Sequence, residues 1–307
     1  SIGIRCCTDE TEIAELIQNA DLAMYQAKHS GRGCYSIYLK DQIIIEKTRK
    51  KINRELKTAL IQKQFILHYQ PILLLETLTI VGFEALVRWQ HPKGGLLAPA
   101  DFIDIAEETG LITDIDILVM DMALSQVKIW NSTNPDMLNI SISVNLSALH
   151  FTSNTIVTII KELLEKHQIS GKQLKIELTE TALIESIDIM ANLINQIRAL
   201  NVVVLLDDFG TGYSSLSYLH QFDIDILKID RTFIRNMQND SEPNPIITTI
   251  AALADAMSMK IVAEGIEEIY QLEKLMAMGC QYGQGFLFAK PLPEEEAFRL
   301  FSEGITL

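Results

Sequence analysis

Eight short apolar runs, most of them separated by amphipathic helical patterns, decide what residues 63–307 can fold into. The runs cover 65–75, 80–89, 139–146, 174–178, 202–206, 226–229, 260–263 and 285–288. Apolar residues at three-and-four spacing fill 114–130, 156–167, 181–200, 246–257 and 270–278. Val202-Val203-Val204-Leu205-Leu206 is apolar without alternation, as a strand covered on both faces must be. Strand–helix alternation over about 245 residues has the size of a (β/α)8 TIM barrel, roughly 250 residues. One connection is irregular. Glu76-Thr77-Leu78-Thr79 leaves no room for a helix between the first two runs. Parallel neighbours need a crossover of about a dozen residues. The expectation is a modified α/β barrel with its first strand antiparallel.

Residues 1–40 read as a small strand–helix–strand unit. A strand over 1–6 precedes a helix with Ile13, Leu16, Ile17, Ala20, Met24 and Ala27 on one face. Gly31-Arg32-Gly33 stops that helix, and 34–38 forms a second strand. Such a unit buries too little to fold alone. Residues 41–62 follow as one charged linker helix with Lys47, Arg49, Lys50, Lys51, Arg54 and Lys57, six of the 26 Lys and Arg. A basic helix can bind anionic lipid or a partner, but a solvated connector explains it more simply. Ser1-Ile2-Gly3-Ile4-Arg5 resembles an internal strand, so the expectation is a piece of a longer protein.

The net charge of −14 argues against DNA or RNA polymers, whose binding leans on clustered Lys and Arg. A small anionic ligand remains compatible if cations supply positive charge locally. No apolar run approaches the roughly 20 residues that span a bilayer, and no signal-peptide pattern opens the chain. A membrane link would run only through segments preceding this piece. The cysteines Cys6, Cys7, Cys34 and Cys280 lack metal-ligand spacing. They suit a reduced, cytoplasmic setting as small buried residues.

The apolar runs end in polar islands that a barrel would bring to one rim. They are Glu84, Asn145, Glu177 with Glu180, Asp207-Asp208, Lys228 with Asp230, Glu264 and Gln284. Carboxylates crowded on one rim raise each other's pKa unless cations share the space. Oxygen donors without a histidine pair at ligand spacing point to Mg²⁺ or Mn²⁺ rather than zinc. Glu84 interrupts a buried strand and needs a partner. Arg88 shares its strand face, but two strand steps put it about 13 Å away. The functional reading gives Glu84 a metal and Arg88 a phosphate oxygen. Alternation sends Glu177 and Glu180 to opposite sides if one strand runs through both. Asp207-Asp208-Phe209-Gly210 taken alone also suits a helix cap and a glycine turn. Lys228 and Asp230 can be a structural pair, or a buried lysine that stabilises phosphoryl charge.

Together these islands resemble EAL domains. The resemblance rests on Phe83-Glu84-Ala85-Leu86-Val87-Arg88-Trp89, Asn145-Leu146-Ser147, Glu177-Leu178-Thr179-Glu180, Asp207-Asp208-Phe209-Gly210-Thr211-Gly212-Tyr213-Ser214-Ser215, Leu227-Lys228-Ile229-Asp230, Ala263-Glu264-Gly265 and Gln284-Gly285-Phe286, in that order. It implies a cyclic-di-GMP phosphodiesterase over 63–307, releasing linear pGpG. It further implies that Glu84, Asn145, Glu177 and Asp207 bind one metal ion, while Asp207, Asp208 and Glu264 place a second. Lys228 would be the base or the water-orienting group. Arg88 would hold a phosphate, with Asp230 and Gln284 supporting the site. Glu180 would tether the 208–215 loop, where family members form homodimers. Val87 and Phe286 depart from the commoner Leu and Tyr without removing a ligand. The alternative is a catalytically silent cyclic-di-GMP receptor. Ala20-Asp21-Leu22-Ala23-Met24-Tyr25-Gln26-Ala27-Lys28 with Gly31-Arg32 is similar to the end of a GGDEF domain, whose cyclase signature is absent here.

Overall fold

A computed structural model describes residues 1–5, 13–29, 35–38, 40–152, 155–184, 187–210, 219–237, 244–305 and 307. Cys6, Cys7, Cys34, the Gly31-Arg32-Gly33 stop and most of the rim loop after Gly210 lie outside the described residues. The chain divides into two units, Ser1–Thr58 and Ala59–Leu307. Among the described residues no helix is long and apolar enough to cross a membrane.

In the first unit, β1 (Ile2–Ile4) and β2 (Tyr35–Ile37) pair in parallel, with the helix Ile13–His29 between them in sequence. A Cβ at Gly3 would lie 1.9 Å from the Ala20 carbonyl oxygen, so the strand backbone itself rests on the helix and only glycine fits. The expected linker helix spans Lys40–Ile61.

The second unit contains β3 (Phe65–Leu74), β4 (Thr79–His91), β5 (Gly95–Leu97), β6 (Ser141–Asn145), β7 (Leu174–Thr179), β8 (Val203–Phe209), β9 (Ile226–Ile229), β10 (Lys260–Ala263) and β11 (Tyr282–Gly283). The order is β3-β11-β10-β9-β8-β7-β6-β4, and a β3–β4 pairing closes the barrel. β3 is antiparallel to both β4 and β11, whereas the remaining barrel neighbours are parallel. The short Glu76–Thr79 connection therefore does reverse the first strand. β5 adds an antiparallel ribbon to β4. Ile72, Leu205, Ile226 and Val262 form a buried apolar layer inside the barrel. Outside it, Trp130 packs on Tyr69 and Phe83 with ring centroids 4.9 and 5.2 Å apart.

One strand expectation needs correction. The eighth strand is Tyr282–Gly283, and 285–288 is a turn. Leu287 N–H donates to the Ile266 carbonyl and Phe288 N–H to that of Gly285. These local bonds bend the chain, and an apolar run alone does not reveal them. The helix expected over 181–200 is seen as Glu180–Ile184 and Ile187–Ala199, with 185–186 outside the described residues. The ribbon at β5 and the helices Ile103–Glu108 and Glu294–Glu303 were not anticipated.

Candidate active site

Lys228 is the hub of the rim. It sits between Leu227 and Ile229 in an apolar strand and is 1% exposed. Its Nζ donates to Glu177 Oε2 in a very short contact and lies 2.6 Å from Glu264 Oε1, 3.1 Å from Asp207 Oδ2 and 3.6 Å from Glu84 Oε2. These four acids come from β4, the ends of β7 and β8, and the residue after β10. Gln284, just past β11, donates from Nε2 to Glu84 Oε2 at 2.7 Å and Glu264 Oε1 at 3.0 Å. Asn145 Nδ2 donates to Glu84 Oε1 at 3.0 Å.

The charge balance governs protonation. One ammonium cannot neutralise four close carboxylates. Burial, then repulsion from Glu84, pushes the Glu177 carboxyl well above the usual range, against the pull of Lys228. Burial likewise raises Glu264 to about 8, with Asp207 and Glu84 adding repulsion. Burial alone would lower Lys228, but Glu177, Glu264, Glu84 and Asp207 outweigh it and hold the amine as an ammonium well above its ordinary value.

Each remaining expected residue has a place. Asp207 and Asp208 part company at a bulge, where the β8–β9 register shifts between Leu206 and Phe209. Asp208 sits at φ 55°, a left-handed conformation that Asp tolerates better than most residues. Asp207 is thereby buried and Asp208 exposed, with the Asp208 amide donating to Asp207 Oδ1 at 2.8 Å. β7 ends at Thr179 and Glu180 opens the next helix. Glu180 and Glu177 thus diverge because the strand stops, not because it alternates through both. Glu180 Oε2 accepts from Gly210 N–H at 3.1 Å. Asp230 does not continue β9 or pair with Lys228; it caps the helix Arg231–Arg235, accepting from Thr232 N–H at 2.9 Å. Arg88 is half-buried and donates to the Val87 carbonyl at 2.9 Å.

Among the described residues, no three His, Cys, Asp or Glu side chains already surround a common point as metal ligands. The Lys228 ammonium gathers the carboxylates instead. The donor set nevertheless fits a hard divalent cation. It is all oxygen, it carries excess negative charge, and Glu177 Oε1 is buried with no hydrogen-bond partner among the described residues.

A network behind the rim escaped sequence reading. Asp116 Oδ2 accepts from Ser147 N–H at 2.9 Å and lies 3.2 Å from His150 Nε2. Ser147 Oγ reaches Glu107 Oε1 at 3.3 Å. The signal was present: Asp116 falls within the buried stripe Ile112, Ile115, Val119 of the helix Ile112–Thr133. A cavity of about 590 Å³ opens beside this network, lined in part by Leu86, Pro99, Ile103, Asn145, Glu177 and Ala182.

An acid-rimmed barrel with one reversed strand defines the class. The chain belongs to the EAL domain family, whose model matches residues 53–291. It is 39% identical over 297 residues to the bifunctional diguanylate cyclase/cyclic di-GMP phosphodiesterase MucR of Pseudomonas aeruginosa, covering 96% of this chain and 43% of that protein. It is 37% identical over 296 residues to the cyclic di-GMP phosphodiesterase PdeR of Escherichia coli, covering 95% and 44%. The chain thus spans less than half the length of these curated relatives. Among solved structures, the PaMucR phosphodiesterase in complex with c-di-GMP matches with TM-score 0.76 and 39% identity, over 80% of this chain and 99% of that one. The EAL enzyme Bd1971, bound to cAMP and cyclic-di-GMP, matches with TM-score 0.78 and 31% identity, over 95% and 77%.

Proposed function

We propose that this chain hydrolyses one phosphodiester bond of cyclic-di-GMP to give linear pGpG, using two Mg²⁺ or Mn²⁺ ions. The observation that carries this reading is that Glu84, Glu177, Asp207 and Glu264 all gather at the buried Lys228 ammonium, with Glu177 Oε1 unpartnered among the described residues. The phosphodiesterase names of MucR and PdeR and the c-di-GMP complex of PaMucR support the substrate.

Glu84, Asn145, Glu177 and Asp207 would hold one cation, and Asp207, Asp208 and Glu264 the other. When bound, such ions polarise a phosphoryl oxygen and lower the pKa of a coordinated water. Lys228 would orient the attacking water or act as its base, and would counter developing phosphoryl charge. Gln284 fixes the Glu84 and Glu264 carboxylates by donating to both. Arg88 would bind a non-bridging phosphate oxygen once it leaves its backbone carbonyl. Asp230 supports the site by capping the helix that follows Lys228. Glu180 anchors the start of the rim loop at Gly210.

The domain reading is 1–40 as the end of a GGDEF-like domain, 41–62 as linker and 63–307 as the phosphodiesterase. The MucR alignment over 96% of this chain supports it. A homodimer through the 208–215 loop and a cytoplasmic location complete the proposal.

The test is chromatography of cyclic-di-GMP incubated with the protein and Mg²⁺ or Mn²⁺, beside an EDTA control. Metal-dependent appearance of pGpG is the expected result. Ligand binding without any product would favour the receptor reading and overturn this one.

A further inference from the structure

The carboxylate rim is not the only charged end of the barrel. A cavity of about 790 Å³ lies at the N-terminal mouth, where the parallel strands begin. Val81, Val203 and Tyr282 line it and pack against the buried layer of Ile72, Leu205, Ile226 and Val262. That apolar layer is its floor.

Lys175 and Lys260 enter this cavity from β7 and β10. Lys175 stands two residues before Glu177 and so shares its strand face. The acids at the mouth are already engaged. Arg198 Nη2 donates to Asp225 Oδ1 at 2.9 Å, and Nη1 lies 3.3 Å from Asp223 Oδ2. The other Asp225 oxygen accepts from Val204 N–H at 2.9 Å. Among the described residues, Lys175 makes no hydrogen bond or ion pair. Lys260 Nζ donates to the Tyr282 hydroxyl at 3.2 Å and lies 5.5 Å from its ring centroid. Lys175 and Lys260 line one apolar-floored cavity and repel each other; Glu177, on the rim side, is the carboxylate that acts most strongly on Lys175, and an anion between the two ammonium groups would relieve their repulsion. In a chain of net charge −14, such a pair stands out.

We propose that the N-terminal mouth of the barrel binds a phosphate dianion, free or as a small monoester, through Lys175, Lys260 and the Tyr282 hydroxyl. Two ammonium groups match a dianion in charge, and the tyrosine supplies a neutral donor. The remaining volume over Val81 and Val203 leaves space for an ester group. The buried layer separates this site from the rim, so the proposal does not depend on the reaction proposed above.

The test is calorimetric titration of the full chain with inorganic phosphate, in metal-free chloride buffer. Saturable binding is expected in the natural protein and in Arg88→Ala, which alters the rim. Lys175→Met with Lys260→Met should weaken binding at least tenfold while keeping both aliphatic stems. Should that double variant not fold, the exposed Lys260→Gln alone should weaken binding several-fold. Tighter binding of phenyl phosphate would assign a monoester, and equal binding free phosphate. No saturable binding, unchanged affinity in the lysine variants, or loss only in Arg88→Ala would overturn the proposal.

Discussion

Gln284 Nε2 donates to Glu84 Oε2 at 2.7 Å although 200 residues separate them in the chain. They are brought together because β3 lies between β4 and β11 and pairs with both. The reversed first strand thus closes the barrel and lets the last island meet the first. A donor shared by Glu84 and Glu264 also quiets repulsion between two acids that would otherwise face each other bare.

Removing a member of this cluster should stop turnover without unfolding the barrel. Glu84→Ala and Lys228→Ala are each expected to lower pGpG formation by at least about 10³-fold, or about 4 kcal/mol in barrier. In Lys228→Ala the crowded carboxyls, already raised in pKa, relieve the lost counter-charge by taking up protons. Circular dichroism should therefore show a folded protein. Full activity in either variant would sink the site assignment.

Asp116 should matter as an acceptor. Asp116→Ala strands the Ser147 amide beside the Asn145 strand end, at a cost of about 1–3 kcal/mol. Asp116→Asn keeps an acceptor oxygen and should recover most of that loss in urea denaturation. Equal losses in both would show that charge, not the amide bond, is what counts.

Gly285 and Gly279 test two different demands on glycine. A Cβ at Gly285 would lie 2.1 Å from the Ile266 carbonyl oxygen and 2.2 Å from its nitrogen. Backbone cannot give way, so Gly285→Ala should cost about 3 kcal/mol. Gly279 has open space but φ 86°, so Gly279→Ala should cost about 1–2 kcal/mol. Thermal melts giving the reverse order would refute the packing argument.

Cys280 should be nearly inert. Burial pushes its thiol up to about 12, so the thiolate that alkylation requires is scarce at pH 8. The raised value means native reactivity climbs only as pH approaches 12. Iodoacetamide labelling of the Cys280 peptide at pH 8, read by mass spectrometry, should be at least about 100-fold slower in the native than in the unfolded protein. Comparable rates would contradict its burial.

Much of this was legible in one dimension. The reversed strand followed from four residues that cannot hold a crossover, and the barrel followed from periodicity. The eighth strand was misplaced because Phe286, Leu287 and Phe288 are apolar, yet the Leu287 and Phe288 amides bond to the Ile266 and Gly285 carbonyls in a turn. Asp230 looked like a strand partner of Lys228, but its carboxylate caps the next helix. Capping and strand continuation place the same residue types after an apolar run, so spacing alone does not separate them.

The sequence by itself determined which side chains reach the rim, because each ends an apolar run and parallel strands present their ends together. Tertiary structure decided how those side chains pair. Lys228 meets Glu177, Asp207 and Glu264 rather than Asp230, and a bulge in β8 buries Asp207 while exposing Asp208. Strand order, shear and local bulges fix those meetings, and they are properties of the closed barrel rather than of any one segment. The same closure brought Lys175 and Lys260 into one cavity at the opposite mouth, which no local pattern announces.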